Sequence, residues 1–232
     1  MTLDPNRLPK IALFDGLTPV QLAFLAEHSR ERTYRSGVTI LSQEEPGETF
    51  YVIQHGTVRV TTSLPDGQQV FLALLAAGDT VGEMSLIDSG GRSADVVTQE
   101  PTTLIAINRS AFDHLMTVGS CFPLNLMRIL ARRLRLANVR IQAKCTLDVF
   151  GMVAFQILEF AELYGEKQPD NAILIPLRLT QQDIAELIGN SRERVNKIMV
   201  IYRNSGYISI DRGYHITVHD TEALKKRVQQ NT

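Results

Sequence analysis

Two stretches of this chain carry side chains whose types and spacing can do chemistry. The first runs from Thr180 to Met199, TQQDIAELIGNSRERVNKIM. On a helical wheel started at Arg192, the side chains of Arg192, Glu193, Asn196 and Lys197 fall on one side and Val195, Ile198, Met199 and Tyr202 on the other. The polar group sits in the first turn and a half, where a helix entering the major groove of DNA meets base edges. There Arg192 can bond the O6 and N7 of a guanine, Glu193 can accept from a cytosine amino group, Lys197 can reach a second guanine, and Asn196 is a fourth candidate. The second stretch is Gly82-Glu83-Met84-Ser85-Leu86, followed after a short polar loop by Arg92-Ser93-Ala94. The loop at Ser89-Gly90-Gly91 is expected to fold as an anion cassette, with backbone N–H groups, the Ser93 hydroxyl and the Arg92 guanidinium converging on one phosphate. Glu83 is placed to accept from a sugar hydroxyl. One carboxylate beside one Arg fits a ligand that carries a free ribose 2′-OH next to a singly charged cyclic phosphate, and it equally fits a structural Glu83–Arg92 salt bridge.

The elements that position the first group read directly from the sequence. Thr180 with Asp183 resembles a capping box, and Ile184, Leu187 and Ile188 recur at helical spacing. Gly189 and Asn190 accept the left-handed backbone of a tight turn, and Ser191 is a good N-cap for a second helix from Arg192. After Asn204-Ser205-Gly206, the β-rich runs Tyr207–Ile210 and Tyr214–Val218 flank the turn Asp211-Arg212-Gly213. A hairpin straight after such a helix is a wing, with Arg212 at its tip near the phosphate backbone. An amphipathic surface hairpin alone would fit Thr180–Met199, and the wing is what favours DNA.

The second group lies in a β-rich region from about Arg35 to Ile107. Thr49–Ile53, Thr57–Thr62, Val70–Leu75 and Thr102–Ile107 are the clearest strands, and Pro65-Asp66-Gly67 is a turn. This cadence predicts a jelly roll or barrel around a small-molecule pocket, with an amphipathic helix near Pro19–Glu27 packed on it. Between the two regions, Leu124 to Leu147 contains no acid, Pro or Gly and reads as one helix. Leu124, Ala131, Asn138 and Cys145 occupy one heptad position, and Met127, Leu134 and Ile141 the other, which predicts a parallel two-stranded coiled coil and a homodimer. Asn138 fits either of two roles there: fixing the register of the seam, or bonding a base held in the pocket.

Charge follows the same partition. Residues 1–123 hold eight Lys and Arg against fourteen Asp and Glu, a net −6, whereas residues 124–147 hold six cations and no acid. Residues 148–177 sum to −4 and residues 178–232 to +3. The end with the candidate DNA helix is therefore basic, and local sign matters more for phosphate contacts than the whole-chain value of −1. Arg128, Arg132, Arg133, Arg135, Arg140 and Lys144 would repel across a dimer and are expected to meet the acidic front domain. With 44% hydrophobic residues and no membrane-length apolar run, the composition is that of a soluble globular protein. The N-terminus lacks a signal-peptide layout, so a cytoplasmic location is expected. Cys121 and Cys145 are read as buried small hydrophobes. His28, His55, His114, His215 and His219 show no ligand spacing and there is no H-x-H pair, so neither a metal site nor a cupin-type enzyme is expected.

Together, the β-roll, the Gly82-Glu83…Arg92-Ser93-Ala94 cassette, the dimerising helix and the Ser191-Arg192-Glu193 hairpin with its wing resemble the cyclic-AMP receptor protein (Crp/Fnr) family. The resemblance covers nearly the whole chain. It implies an α+β architecture: a cyclic-nucleotide-binding β-roll over residues 1–120, a dimerisation helix over 121–147 and a winged helix-turn-helix over 148–232. It implies a non-enzymatic, homodimeric transcription regulator with cyclic AMP as allosteric effector and no catalytic cofactor. Glu83 would contact the ribose, Arg92 and Ser93 the cyclic phosphate, and Gly82 would offer backbone. Met84, Ser85, Ala94 and Arg133 complete the implied ligand set. Ala137 and Asn138 stand where cyclic-AMP-responsive members carry a Thr followed by a Ser or Asn that touch the adenine, so the Thr hydroxyl is missing here. Arg192, Glu193 and Lys197 match the family's base-reading triad, with Lys where Arg is common, implying palindromic TGTGA-like half-sites. Thr180, Gln181 and Gln182 would contact phosphates alongside Ser191 and Arg212, and the loop Lys167–Ala172 would meet RNA polymerase. The alternative inputs are cyclic GMP, cyclic di-GMP, haem or no ligand.

Overall fold

The computed structural model describes Leu8 and residues 11–229. A 3-10 turn at Ala12–Phe14 leads to α1 (Pro19–His28), then β1 (Ser29–Tyr34), β2 (Thr39–Leu41), β3 (Thr49–His55), β4 (Val58–Ser63), β5 (Gln69–Leu75) and β6 (Thr80–Val81). The one-turn helix α2 (Met84–Ile87) precedes β7 (Asp95–Thr98), β8 (Thr102–Asn108), α3 (Arg109–Thr117) and the long α4 (Cys121–Thr146). There follow α5 (Val149–Tyr164), β9 (Glu166–Lys167), β10 (Ile173–Ile175), α6 (Gln181–Ile188), α7 (Arg192–Asn204), β11 (Ile208–Ile210), β12 (Ile216–Val218) and α8 (Thr221–Gln229). Backbone contacts divide the chain into a compact unit ending at Leu134 and a second beginning at Arg135, so the boundary falls inside α4.

The first unit is a β-roll of two four-stranded antiparallel sheets, in the orders β1-β8-β3-β6 and β2-β7-β4-β5. Strand alternation gives the roll two apolar faces. On β3 and β8, Tyr51, Ile53, Leu104 and Ala106 join Leu41, Val58, Val81 and Val96 in one cluster, while Phe50, Val52, Ile105 and Ile107 form another with helical residues. Those helical residues include Leu25 and Ala26 of α1, Phe112 and Leu115 of α3, and Phe122 and Leu126 of α4. Thr18 caps α1 in a capping box with Gln21, and Asn108 caps α3 through the amide of Ala111. Within α4, Asn125 Nδ2 donates to the carbonyls of Leu13 (3.2 Å) and Asp15 (2.7 Å) and fastens the N-terminal segment to the helix.

The other face of α4 is open. Of the predicted heptad positions, Leu124, Met127, Leu134 and Ile141 are exposed, the last three by 58%, 64% and 62%. Cys145 is also exposed and Cys121 is part-buried, so the expectation that both are buried is corrected: Cys145 shares the open seam. The cations of α4 do not act together either. Arg133 meets the acidic front domain through Glu83. Arg140 instead gives Nε to both oxygens of the buried Glu159 on α5, at 3.0 and 3.1 Å, and Nη2 to Oε1. Arg132, Arg135 and Lys144 are exposed and form no ion pair with a described residue.

In the second unit, α5 contributes the core face Met152, Val153, Ile157, Phe160 and Ala161, and the small antiparallel sheet runs in the order β11-β12-β10-β9. The capping box predicted at Thr180 is present: Asp183 N donates to Thr180 Oγ1 at 3.2 Å and Thr180 N to Asp183 Oδ2 at 2.9 Å. Gly189 ends α6 at φ 70°, a left-handed C-cap that a residue with a Cβ adopts at a cost. Ser191 then caps α7, and Val195, Ile198, Met199 and Tyr202 are all buried. Tyr202 donates to the carbonyl of Phe150 at 2.8 Å, which locks α7 to the start of α5.

Candidate functional site

A cleft of about 460 Å³, part of it open to solvent, lies in the roll against α2 and the end of the first unit's share of α4. Its walls include Gly82, Glu83, Met84, Ser85, Arg92, Ser93, Ala94 and Arg133, so the structure brings eight of the ten predicted ligand residues together. The remaining two, Ala137 and Asn138, are exposed on the part of α4 that belongs to the second unit.

Glu83 is buried at the floor of the cleft. Its Oε1 accepts from Arg133 Nη1 at 2.7 Å, while Oε2 is buried and has no hydrogen-bond partner. Arg133 also donates through Nη2 to the carbonyl of Thr80 at 2.6 Å. The Glu83–Arg92 salt bridge that the two residue types allow is not formed: the carboxylate pairs with Arg133, and through Oε1 alone. Arg92 instead spends its donors on neutral acceptors: Nη1 on the Gly82 carbonyl and Ser85 Oγ, both 2.8 Å, and Nη2 on the Thr49 carbonyl at 2.6 Å. Burial lowers its guanidinium below the usual arginine value, opposed by the charges of Tyr51, Glu45, Glu48 and Glu83. A buried cation without a carboxylate partner, next to a buried carboxylate oxygen without a donor, can accommodate an anion on the one and a hydroxyl on the other.

Glycine makes this packing possible at two positions. Gly82 has φ +82°, and a Cβ there would lie 2.6 Å from Arg92 Nη1 and 2.9 Å from Leu41 Cδ1. At Gly47 a Cβ would meet Ser85 Oγ at 2.1 Å and Arg92 Cζ at 2.9 Å. The expected Ser89-Gly90-Gly91 contribution is corrected: these residues are exposed and outside the walls of the cleft. The Gly90 N–H is taken by Asp88 Oδ1 at 2.9 Å, and Gly91 packs on the backbone of Glu44. Ser93 lines the cleft with an exposed hydroxyl that contacts Met84 Sδ at 3.8 Å.

In the second unit, Arg192, Glu193, Asn196 and Lys197 project from α7 into solvent on one face. Glu193 and Lys197 pair at 2.7 Å, and the hydrogen bond and charge of Lys197 hold the Glu193 carboxyl below its usual range. The pair is highly exposed, so separating it to meet base edges costs little. Gln181 and Gln182 open α6, with Gln182 Nε2 on Glu186 Oε1 at 2.6 Å, while the Thr180 hydroxyl is engaged by Asp183 at 2.5 Å. The wing pairs Ile208 with Val218 and Ile210 with Ile216. Its tip is longer than the sequence predicts, because Asp211 Oδ1 accepts from the amides of Gly213 and His215 and Oδ2 contacts His215 Nδ1, all within 2.9 Å. Arg212 is exposed at that tip, and Tyr214, at φ 66°, turns the chain back into β12.

Both sites lie in stretches of the chain that match known domain families. A cyclic nucleotide-binding domain model matches residues 31–118, and a Crp-like helix-turn-helix domain model matches residues 153–227. The CRP-like cAMP-activated global transcriptional regulator of Mycobacterium tuberculosis (strain CDC 1551 / Oshkosh) is 31% identical over 222 residues, covering 96% of this chain and 98% of that protein. The chain belongs to the Crp/Fnr family. The cyclic AMP receptor protein of Thermus thermophilus is 32% identical over 202 residues, covering 87% of this chain and 89% of the relative. Among solved structures, the Thermus thermophilus catabolite activator protein has 28% identity and a TM-score of 0.51 over 95% of this chain and all of that one. FixK2 from Bradyrhizobium japonicum shares the fold at 20% identity, with a TM-score of 0.75 over 85% of this chain and 96% of its own.

As a Crp/Fnr member, the chain is a DNA-binding transcription regulator with a cyclic nucleotide-binding domain, from a family of regulators rather than enzymes. Among the described residues, no helix is long and apolar enough to cross a membrane and no cluster of His, Cys, Asp or Glu could hold a metal ion. Three residues that pack behind the walls of this Crp/Fnr cleft escape sequence reasoning. Gly47 and Thr49 act through a close approach and a backbone carbonyl, which leave no motif, and Arg109 lies 17 positions beyond Arg92 at the start of a separate helix.

Proposed function

We propose that this chain is a cytoplasmic, homodimeric transcription regulator that responds to cyclic AMP and binds palindromic DNA sites with TGTGA-like half-sites. The observation that carries the ligand reading is the unpartnered Glu83 Oε2 in the same cleft as the buried, carboxylate-free Arg92. A ribose 2′-hydroxyl supplies a donor to the first, and a singly charged cyclic phosphate supplies an anion to the second. Gly82, Met84, Ser85, Ser93, Ala94 and Arg133 complete the ligand site, with Ala137 and Asn138 of α4 meeting the base. The Mycobacterium and Thermus relatives, both named for cyclic AMP, support the same effector.

On the DNA side, Arg192, Glu193 and Lys197 read bases, with Asn196 beside them, while Thr180, Gln181, Gln182, Ser191 and Arg212 contact phosphates. The exposed seam of α4 supports pairing through residues 124–147. We assign three working parts to the chain: the β-roll over 1–120, the dimerisation helix over 121–147 and the winged helix-turn-helix over 148–232. The loop Lys167–Ala172 is the surface offered to RNA polymerase. Titrating cyclic AMP, cyclic GMP and cyclic di-GMP against a palindromic TGTGA-type duplex in a mobility-shift assay tests the whole reading. Retardation driven by cyclic AMP is the expected result. Retardation driven by another nucleotide overturns the effector, and retardation indifferent to all three makes the regulator active without ligand.

A further inference from the structure

Arg109 opens α3 on the far side of the wall that holds Arg92. Its Nε pairs with Glu48 Oε2 at 2.9 Å, Nη2 donates to the carbonyls of Gly47 and Ser85, both at 3.2 Å, and Nη1 reaches the carbonyl of Leu86 at 3.4 Å. The acceptors belong to two segments distant in sequence, the loop before β3 and the short helix α2. The Ser85 and Leu86 carbonyls are among the orphans that a one-turn helix leaves at its end, where a guanidinium is the favoured partner. The same two segments face Arg92 on their other side. Ser85 Oγ accepts from Arg92 Nη1, and the missing Cβ of Gly47 lets that loop press on both Ser85 and the guanidinium.

We propose that Arg109 is a positioning residue for the anion subsite: it draws the Gly47 loop and α2 together from outside, so that Ser85 and Gly47 fix the orientation of Arg92 from inside. This rests on the reading of the cleft as a cyclic-phosphate site. Arg109 does not touch the ligand. Its effect is on geometry, since a guanidinium in one fixed orientation distinguishes the two exocyclic oxygens of a cyclic phosphate and a loosened one does not.

The test uses the full chain, wild type and the R109A and R109K variants, titrated calorimetrically with cyclic AMP and its two diastereomeric phosphorothioates, in which one or the other exocyclic oxygen is sulfur. Hydrogen exchange of the unliganded proteins is followed in parallel over residues 44–49 and 83–92. Expected for R109A are an affinity loss of about tenfold, of the size seen when a group holding a ligand-contacting side chain is removed, a diastereomer ratio that falls toward one, and faster exchange in both segments. R109K, which keeps the charge but not the fork, recovers part of the ratio. An unchanged ratio overturns the proposal, as does an equal loss for both diastereomers accompanied by a lower melting temperature. A wild-type protein that binds no cyclic nucleotide refutes the reading of the cleft instead, and the exchange of the two segments then decides whether Arg109 positions Arg92.

Discussion

Arg133 Nη1 donates to Glu83 Oε1 at 2.7 Å, while the second oxygen of the same carboxylate lies buried with no donor. A residue of α4 thus takes one oxygen of a carboxylate whose other oxygen lies in the cleft wall. Any group that takes Glu83 Oε2 is coupled through that carboxylate to the guanidinium on the helix, and the coupling needs no movement larger than a change in one hydrogen bond.

The unpartnered oxygen of Glu83 predicts the behaviour of E83Q. The amide keeps the shape but removes the charge, so a hydroxyl bonded there loses about 1.5–3 kcal/mol, the range for hydrogen bonds to charged groups. Cyclic AMP affinity should fall roughly ten- to a hundredfold, whereas the 2′-deoxy analogue, which has no hydroxyl to place, should bind both proteins almost alike. Calorimetric titration of the two ligands measures this directly, and equal losses for both would assign Glu83 to Arg133 alone.

Gly82 predicts a change in stability as well as binding. Alanine there must adopt a positive φ and place its Cβ within 2.6 Å of Arg92 Nη1. The backbone strain costs on the order of 1–3 kcal/mol, and relief of the clash turns Arg92 away from the anion subsite. G82A should show both a lower denaturation midpoint and no measurable heat with cyclic AMP. Normal affinity in a destabilised protein would separate the strain from the site.

The parts legible in the sequence are those that local physics writes in adjacent residues. Thr180 with Asp183, Gly189 and Ser191 announce their capping roles by type and spacing, and the wheel that separates Val195, Ile198, Met199 and Tyr202 from the polar residues matches their burial. Glu83 and Arg92 are identifiable as a pair but not by partner, because the choice between Arg92 and Arg133 depends on how α4 lies against β6, which no local pattern encodes. The helix α2 is a single turn and leaves no periodicity, and α3 and α5 are helices whose patterns the β-rich and heptad signals overshadow. The length of the wing tip escapes for a related reason: the Asp211 carboxylate, not strand propensity, decides where β12 begins.

The open seam of α4 predicts the oligomeric state. If Leu134 and Ile141 pair across a dimer axis, each buries a side chain worth about 1.5–3 kcal/mol, and a carboxylate at either position leaves a charge in the seam. The double variant L134E/I141E should sediment as a monomer and lose its affinity for the palindrome while its isolated chain keeps the same helical circular dichroism. A variant that remains dimeric would place the interface elsewhere.

The wing predicts a pH dependence. The Asp211 carboxyl is held below its ordinary value of 3.8, first by the His215 side chain and then by the His215 amide. A carboxyl depressed in the folded state adds stability that is complete above its ordinary value and is lost as pH falls through the depressed one. The clasp at the wing tip therefore holds at neutral pH and opens only in acid below 3.8. D211A removes it at every pH, and at pH 7 should raise amide exchange at Gly213 and His215 and weaken DNA binding severalfold through the less ordered Arg212, as read by nuclear magnetic resonance and fluorescence anisotropy. Unaltered exchange would show that the strand pairing holds the tip unaided.

The recognition helix predicts three separable losses. Arg192 and Glu193 are exposed in the first turn of α7, and the Glu193–Lys197 pair is too exposed to resist reorientation toward bases. A bidentate Arg–guanine contact contributes about 1–3 kcal/mol of discrimination, so R192A should bind a TGTGA-type duplex tenfold or more weakly and tolerate substitution of one guanine. E193A should lose preference at a single cytosine and leave the salt dependence of binding nearly unchanged, because Glu193 neutralises no phosphate. S191A differs from both. It removes the hydroxyl that accepts from Arg194 N at 3.3 Å and lowers stability by about 1 kcal/mol, the usual cost of losing an N-cap, together with affinity for every sequence alike. Binding measured against a panel of single-base variants at two salt concentrations distinguishes the three. Uniform loss from all three substitutions would mean that α7 positions the protein on DNA without reading it.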